Sequence, residues 1–261
     1  MVSSQQSEKT VTLRVLRANP AVGLKRHYQT FQVPLEPGMT VLSALLAAKE
    51  RMDHSIAIRF SCRMASCGSC GMKINGIPRL ACYTQVADFS GKAVIVEPLD
   101  TYPLVRDLVT DFDGFFSKHA SIKPFTVRRN EEEQETPNSE YDQSPAELED
   151  FLQFSYCIKC GLCNAACPTV RTDPGFIGPQ ALGQAYRYTA DSRDEGAEAR
   201  IKAIDNNHGI WRCHFAGACS FVCPKGVDPA LAIQRLRRLV FSKNITKRSG
   251  SPLLAKHEAQ T

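Results

Sequence analysis

The chain has 261 residues, 43% of them hydrophobic and 23% charged, with a formal net charge of +5. That length suits one large or two modest domains. Its longest apolar stretch, Val41 to Ala48, is interrupted by Ser43 and falls far short of a membrane span. No arginine-rich block points to nucleic acid. Arg235, Arg237 and Arg238, with Lys243, Lys247 and Arg248, form basic groups that suit lipid headgroups, an acidic partner or a solvated helix end.

In chain order, Thr10–Ala18 and Tyr28–Leu35 place apolar residues two apart and are expected as strands. Thr40 then caps a helix from Val41 to about Met52, with Leu42, Leu45 and Leu46 at helical spacing. Ile56–Phe60 is expected as a strand leading into a cysteine loop. Met72–Ile74, Asn75-Gly76 and Ile77–Ala81 spell a hairpin with a type I′ turn, and Val94–Val96 adds another strand. Strands and one helix around a cysteine loop describe a β-grasp ferredoxin domain over residues 10–112.

Arg128 to Glu140 is polar and charged throughout, so residues 113–143 are expected as a linker. Ser144-Pro145-Ala146-Glu147 is a capping box that opens a helix towards Phe154. Further helices are expected from Gln180 to about Thr189, from Ala197 to about Asp205, and from Pro229 through Leu239. This second half, residues 144–243, is an all-α bundle, which makes the whole chain α+β. Residues 244–261 are expected as a frayed tail.

Eleven cysteines carry the chemistry. An odd count and a polar Met1–Thr10, unlike a signal peptide, argue against a disulfide framework and for metal-bound thiolates. Cys62, Cys67, Cys70 and Cys82 follow the plant-type C-x4-C-x2-C pattern with a distant fourth ligand, suited to a [2Fe–2S] cluster. Cys157, Cys160, Cys163 and Cys167 follow the bacterial C-x2-C-x2-C-x3-C-P pattern, whose fourth cysteine serves the other cluster of a pair. Cys213, Cys219 and Cys223 repeat that run with Ala216 at its second position. By this exchange Cys157, Cys160, Cys163 and Cys223 would hold a [4Fe–4S], and Cys167, Cys213 and Cys219 a three-thiolate [3Fe–4S]. Zinc also takes C-x2-C pairs, but structural zinc sites use two well-separated pairs. Three redox centres in series make a wire for single electrons.

The segments SCRMASCGSCGMKINGIPRLAC, CIKCGLCNAACPTV with FIGPQAL after it, and WRCHFAGACSFVCPKGVDP resemble the iron–sulfur subunit of succinate dehydrogenase and fumarate reductase, respiratory complex II. The resemblance spans roughly Val11 to Lys243. It implies an FAD-containing flavoprotein partner expected over Arg63, Met64, Ala65 and Ser66, transmembrane anchor subunits, and quinone. It also implies quinone contacts near Pro168 and His214, with Arg171 and Thr172 standing where the family usually carries a tryptophan after the cysteine–proline pair. The sole tryptophan, Trp211, reads as core packing.

The sequence thus favours the electron-transfer subunit of a succinate dehydrogenase, peripheral on the cytoplasmic face of the cell membrane. A fumarate reductase drawing on thiol or low-potential quinol donors is the alternative in the same class. A free multi-cluster electron carrier is the alternative in another. The chain has no acid–base or nucleophilic constellation of its own, so the carbon chemistry belongs to a partner.

Overall fold

The computed structural model describes residues 9–89, 91–130, 132, 135–136 and 140–249, with side chains up to residue 242. The N-terminal half is a mixed sheet. Strand β1 (Thr10–Asn19) pairs antiparallel with β2 (Leu24–Pro34) and parallel with β5 (Val94–Glu97). β3 (Gly71–Ile74) and β4 (Ile77–Leu80) complete the order β2-β1-β5-β3-β4. Alternation drives Val11, Leu13 and Val15 of β1 inward, where they meet Val33, Val94 and Val96 in one buried cluster. Helix α1 (Val41–Arg51) adds Leu42 and Leu45 to that cluster. It starts at a capping box in which the Thr40 hydroxyl accepts from the Ser43 amide at 3.1 Å and Ser43 Oγ accepts from the Thr40 amide at 2.8 Å. The β3–β4 turn has Asn75 at φ 45° and Gly76 at φ 83°, as a type I′ turn requires.

Residues 56–60 form no strand. The Ala57 amide donates to the Asp107 carboxylate at 2.9 Å, so a side chain takes the place of a neighbouring strand. Two short strands, β6 (Leu104–Arg106) and β7 (Val109–Thr110), follow as a separate pair.

The segment expected as a linker begins with helix α2 (Asp113–Ser121), which buries Phe115 and His119. The stretch after it is pinned down as well. The Val127 and Arg129 amides donate to Asp194 and Glu195, at 2.8 and 2.7 Å. The fully buried Arg200 pairs with Asp194 and donates to the Lys123 and Phe125 carbonyls. Residues 131, 133, 134 and 137–139 of that segment lie outside the described residues.

The C-terminal half is helical: α3 (Pro145–Ser155), α4 (Leu162–Ala166), α5 (Pro168–Thr172), α6 (Pro179–Thr189), α7 (Ala197–Ile204), α8 (Ala218–Phe221) and α9 (Pro229–Ser249). Phe154, Leu182, Ala185, Ile233 and Leu236 from α3, α6 and α9 pack into a second core. α9 continues past Leu239 to Ser249, so part of the expected tail is helix; residues 250–261 lie outside the described residues. Two of the basic residues on α9, Arg235 and Arg237, are not simply solvated, while the side chains of Lys243, Lys247 and Arg248 lie outside the described ones. Arg235 donates to the Asp150 carbonyl and the Tyr186 hydroxyl, and Arg237 donates to the carbonyls of Ile210, Trp211 and Cys213.

Candidate metal centres

The first cysteine loop runs from residue 61 to the start of β3, with Cys82 just past β4. Arg63 (φ 58°), Ala65 (φ 56°) and Gly68 (φ 76°) adopt left-handed backbone that curls the loop over its own sulfurs. Cys62 Sγ accepts from the amides of Met64, Ser66 and Cys67 at 3.4, 3.3 and 3.2 Å. Cys82 Sγ accepts from Ala65 at 3.3 Å, and Cys70 Sγ from Cys82 at 3.4 Å. Backbone donors aimed at thiolate sulfur are what a cluster site needs to stabilise its negative charge. The loop has a wet and a dry side. Hydrogen bonds from Ser69 and from the Cys62 amide bring the Cys67 thiol down to about 6, while burial pushes Cys70 up to about 12. Of the residues expected under a flavoprotein, Met64 is 74% exposed whereas Ala65 is buried.

In the helical half the two remaining cysteine runs fold into the same turn. Lys159 (φ 55°) and Gly161 (φ 77°) flank Cys160, as Phe215 (φ 57°) and Gly217 (φ 73°) flank Ala216. The Phe215 amide donates to Cys213 Sγ at 3.4 Å, as the Lys159 amide does to Cys157. A short helix follows each turn, α4 and then α8, and each run closes at a cysteine before proline. Cys157, Cys160, Cys163 and Cys223 line one cavity. Cys167, Cys213 and Cys219 line a second, with Ala216 on its wall. Burial raises the pKa of Cys157, Cys160 and Cys163, that of Cys160 to about 12. Iron must therefore displace these protons to bind.

Soft sulfur donors ringing a space fit multi-iron clusters. Among the described residues, no group of three or more His, Cys, Asp or Glu side chains is placed to hold a single metal ion.

The residues expected at a quinone divide. Pro168 and His214 line the second cavity; Arg171 and Thr172 are not among its lining residues. Arg171 instead makes a bidentate pair with Asp100, at 3.0 and 2.9 Å, and donates to the Ala165 carbonyl. Thr172 Oγ1 donates back to the Pro168 carbonyl at 3.2 Å, one turn earlier on its helix. Trp211 is not core packing: it is 47% exposed, and its indole N–H donates to Asp205 at 2.6 Å.

Sequence patterns did not reveal how close the first two sites lie. A Cβ on Gly68 would stand 2.8 Å from Cys160 Cβ, so the first cysteine loop rests on the second. The Tyr102 hydroxyl donates to the Gly161 carbonyl at 2.8 Å, and the Tyr102 ring stacks on Phe112, pressing the sheet domain onto the same turn. The only sequence signal was the density of glycine among these cysteines.

A β-grasp sheet carrying one four-thiol loop, joined to a helical pair of thiol-lined cavities, defines an iron–sulfur electron-transfer protein. Two family models match it: a 2Fe-2S iron-sulfur cluster binding domain over residues 12–117 and a 4Fe-4S dicluster domain over residues 153–227. The fumarate reductase iron-sulfur subunit of Mycobacterium tuberculosis is 45% identical over 87% of this chain and 91% of its own. That of Haemophilus influenzae is 42% identical over 86% and 91%. The succinate dehydrogenase iron-sulfur subunit of Coxiella burnetii is 36% identical over 87% and 95%. A chain of the Mycobacterium smegmatis Sdh1 complex in the apo form superposes with a TM-score of 0.80 at 25% identity, covering 95% of this chain and all of that one. The chain belongs to the iron–sulfur subunits of complex II, the fumarate reductase and succinate dehydrogenase family.

Proposed function

We propose that this chain is the iron–sulfur subunit of a fumarate reductase supplied by a low-potential quinol. The observation that carries the direction is the identity to the relatives: 42 to 45% for those named fumarate reductase, against 36 to 38% for those named succinate dehydrogenase. The absence of an aromatic between Pro168 and Asp173, where family members with a ubiquinone site usually carry tryptophan, is in keeping with a different quinone. A succinate dehydrogenase is the second reading, favoured by the likeness to the Sdh1 complex.

In this reading Cys62, Cys67, Cys70 and Cys82 hold a [2Fe–2S], Cys157, Cys160, Cys163 and Cys223 a [4Fe–4S], and Cys167, Cys213 and Cys219 a [3Fe–4S]. When bound, these clusters supply one-electron redox chemistry. The chain contributes thiolates, amide donors and burial, which together set each site's reduction potential. Met64 and its exposed neighbours meet an FAD flavoprotein. Pro168 and His214, beside Phe215 at 57% exposure, face an anchor and its quinone. No helix among the described residues is long and apolar enough to cross a membrane, so in this reading the anchor provides the span and the chain sits peripherally on the cytoplasmic face.

The test is to purify the assembled complex and compare quinol-driven fumarate reduction with succinate-driven quinone reduction. The first should be faster with a low-potential quinol. A faster succinate-driven rate would overturn the direction, and purification of the chain without partners would overturn the assembly.

A further inference from the structure

One side chain on the first dicluster cavity is not accounted for by thiol ligation. Gln180, in the first turn of α6, is only 3% exposed and lines the cavity with Cys157, Cys160, Cys163 and Cys223. Its Nε2 lies 3.2 Å from His119 Nδ1 and 4.0 Å from Cys157 Sγ. A side-chain amide nitrogen carries two hydrogens, so it can serve both neighbours at once. The ring nitrogen takes one hydrogen and the sulfur faces the other. Turning the amide over would set its carbonyl oxygen against sulfur, a repulsive contact once the thiol ionises.

Gln180 Oε1 is buried without a hydrogen-bond partner, so the side-chain contacts of this amide run through its nitrogen. One further observation supports the orientation. His119 is itself buried, and burial, with the nearby Lys159 adding to it, holds its pKa below the ordinary imidazole value. A neutral ring leaves Nδ1 free to accept. The other amide on this cavity, Gln184, is directed elsewhere and donates to the Phe154 carbonyl at 2.8 Å.

We propose that Gln180 donates a hydrogen bond to the cluster sulfur at Cys157 and so raises the reduction potential of the [4Fe–4S], with His119 as the positioning residue that orients the amide. This rests on the reading that Cys157 ligates that cluster. A donor favours the reduced state because reduction adds negative charge to iron and sulfur. Ligation strengthens the contact, since a thiolate is a better acceptor than the thiol it replaces. His119 comes from α2, so a helix outside the cysteine runs would help to set the potential of the site.

The experiment is a redox titration of the assembled complex, following the reduced [4Fe–4S] by EPR. Gln180→Met, which keeps the volume and removes the donor, should lower the reduced-to-oxidised ratio at fixed ambient potential by up to about tenfold, or about 59 mV for a one-electron couple. His119→Leu should shift it the same way, and the double variant should go no further than Gln180→Met alone. The other two clusters should keep their potentials. Pulsed EPR of wild type grown with isotope-labelled glutamine side-chain nitrogen should reveal coupling to the reduced cluster, lost in Gln180→Met and weakened in His119→Leu. An unchanged potential in Gln180→Met would overturn the proposal. So would a coupling that survives in that variant, or its absence from wild type, which decides the matter even if the variants fail to hold a cluster. Wild type lacking any [4Fe–4S] signal would instead overturn the ligand reading, and the proposal with it.

Discussion

At the scale of single residues, Ala216 sits in the third cysteine run where Cys160 sits in the second, between a left-handed residue and a left-handed glycine, and on the wall of the second cavity. A thiol there would point where the missing ligand belongs. In the reading proposed above, Ala216→Cys should therefore convert the site from three irons to four, abolishing the EPR signal of an oxidised [3Fe–4S] and slowing quinone-linked turnover. A variant that keeps the full signal would mean that Ala216 does not set the iron count. His214 lines the same cavity and is exposed, so His214→Ala should depress quinone-linked activity several-fold while dye-linked activity survives; an equal fall in both would assign it a structural role. At the other end, Met64→Glu should slow reduction or oxidation of the [2Fe–2S] by the flavoprotein without changing the cluster's spectrum. Ala65→Glu should lose the cluster outright, because Ala65 is buried and its amide donates to Cys82. Rapid-mixing absorbance separates the two outcomes.

At the scale of elements, the contact between the first and second cysteine loops depends on the missing side chain of Gly68. Its φ of 76° disfavours any L side chain, and an added Cβ would fall 2.8 Å from Cys160 Cβ and 2.9 Å from Cys160 Cα. Backbone at that distance cannot yield without parting the loops. Gly68→Ala should cost about 1–3 kcal/mol locally and widen the gap between the two sites. Electron transfer between the [2Fe–2S] and [4Fe–4S] sites should slow, and magnetic coupling between the two reduced clusters should weaken in EPR. Unaltered coupling would show that the loops tolerate the extra carbon.

At the scale of the whole molecule, a run of charges ties the halves together. Asp100, after β5, accepts both guanidinium nitrogens of Arg171 on α5 and the ammonium of Lys73 on β3, and Lys73 also pairs with Glu97. Burial by itself would raise the Asp100 pKa, but the hydrogen bonds from Arg171 and Lys73 outweigh it and hold the carboxyl below the usual carboxylate range. A depressed carboxylate pKa means that this contribution is fully present above the unfolded value and is lost as pH falls through the folded one. Arg171 is nearly half exposed, which holds the contribution to about 1 kcal/mol or less. Asp100→Asn should therefore unfold slightly earlier at neutral pH, and the difference from wild type should vanish as pH falls through the depressed folded pKa of Asp100. Calorimetry across that range checks it; a gap that persists in acid would mean the charge is not the cause.

Much of this protein was readable in its residues because iron–sulfur ligation is local. Thiol spacing within a run, the left-handed glycines and a proline after the last cysteine are short-range requirements, and they indicated which thiols the fold gathers in each dicluster cavity and the two domain types. The hairpin at Asn75-Gly76 and the caps at Thr40 and Ser144 were legible for the same reason. What depended on distant pairs was not. Ile56–Phe60 has strand-like residues but finds the Asp107 side chain instead of a strand, the segment after residue 112 folds because Arg200 and Asp194 wait for it, and Arg171 turns to Asp100 instead of the second cavity. The direction of electron flow, too, has no local signature: no motif in the chain fixes it, and only the identity to relatives leans towards fumarate reductase. A local pattern can state which thiols share a turn, because a few bonds fix their geometry. Only the folded chain decides which loop touches which, because those contacts join residues far apart in sequence through shape and charge that no single segment contains.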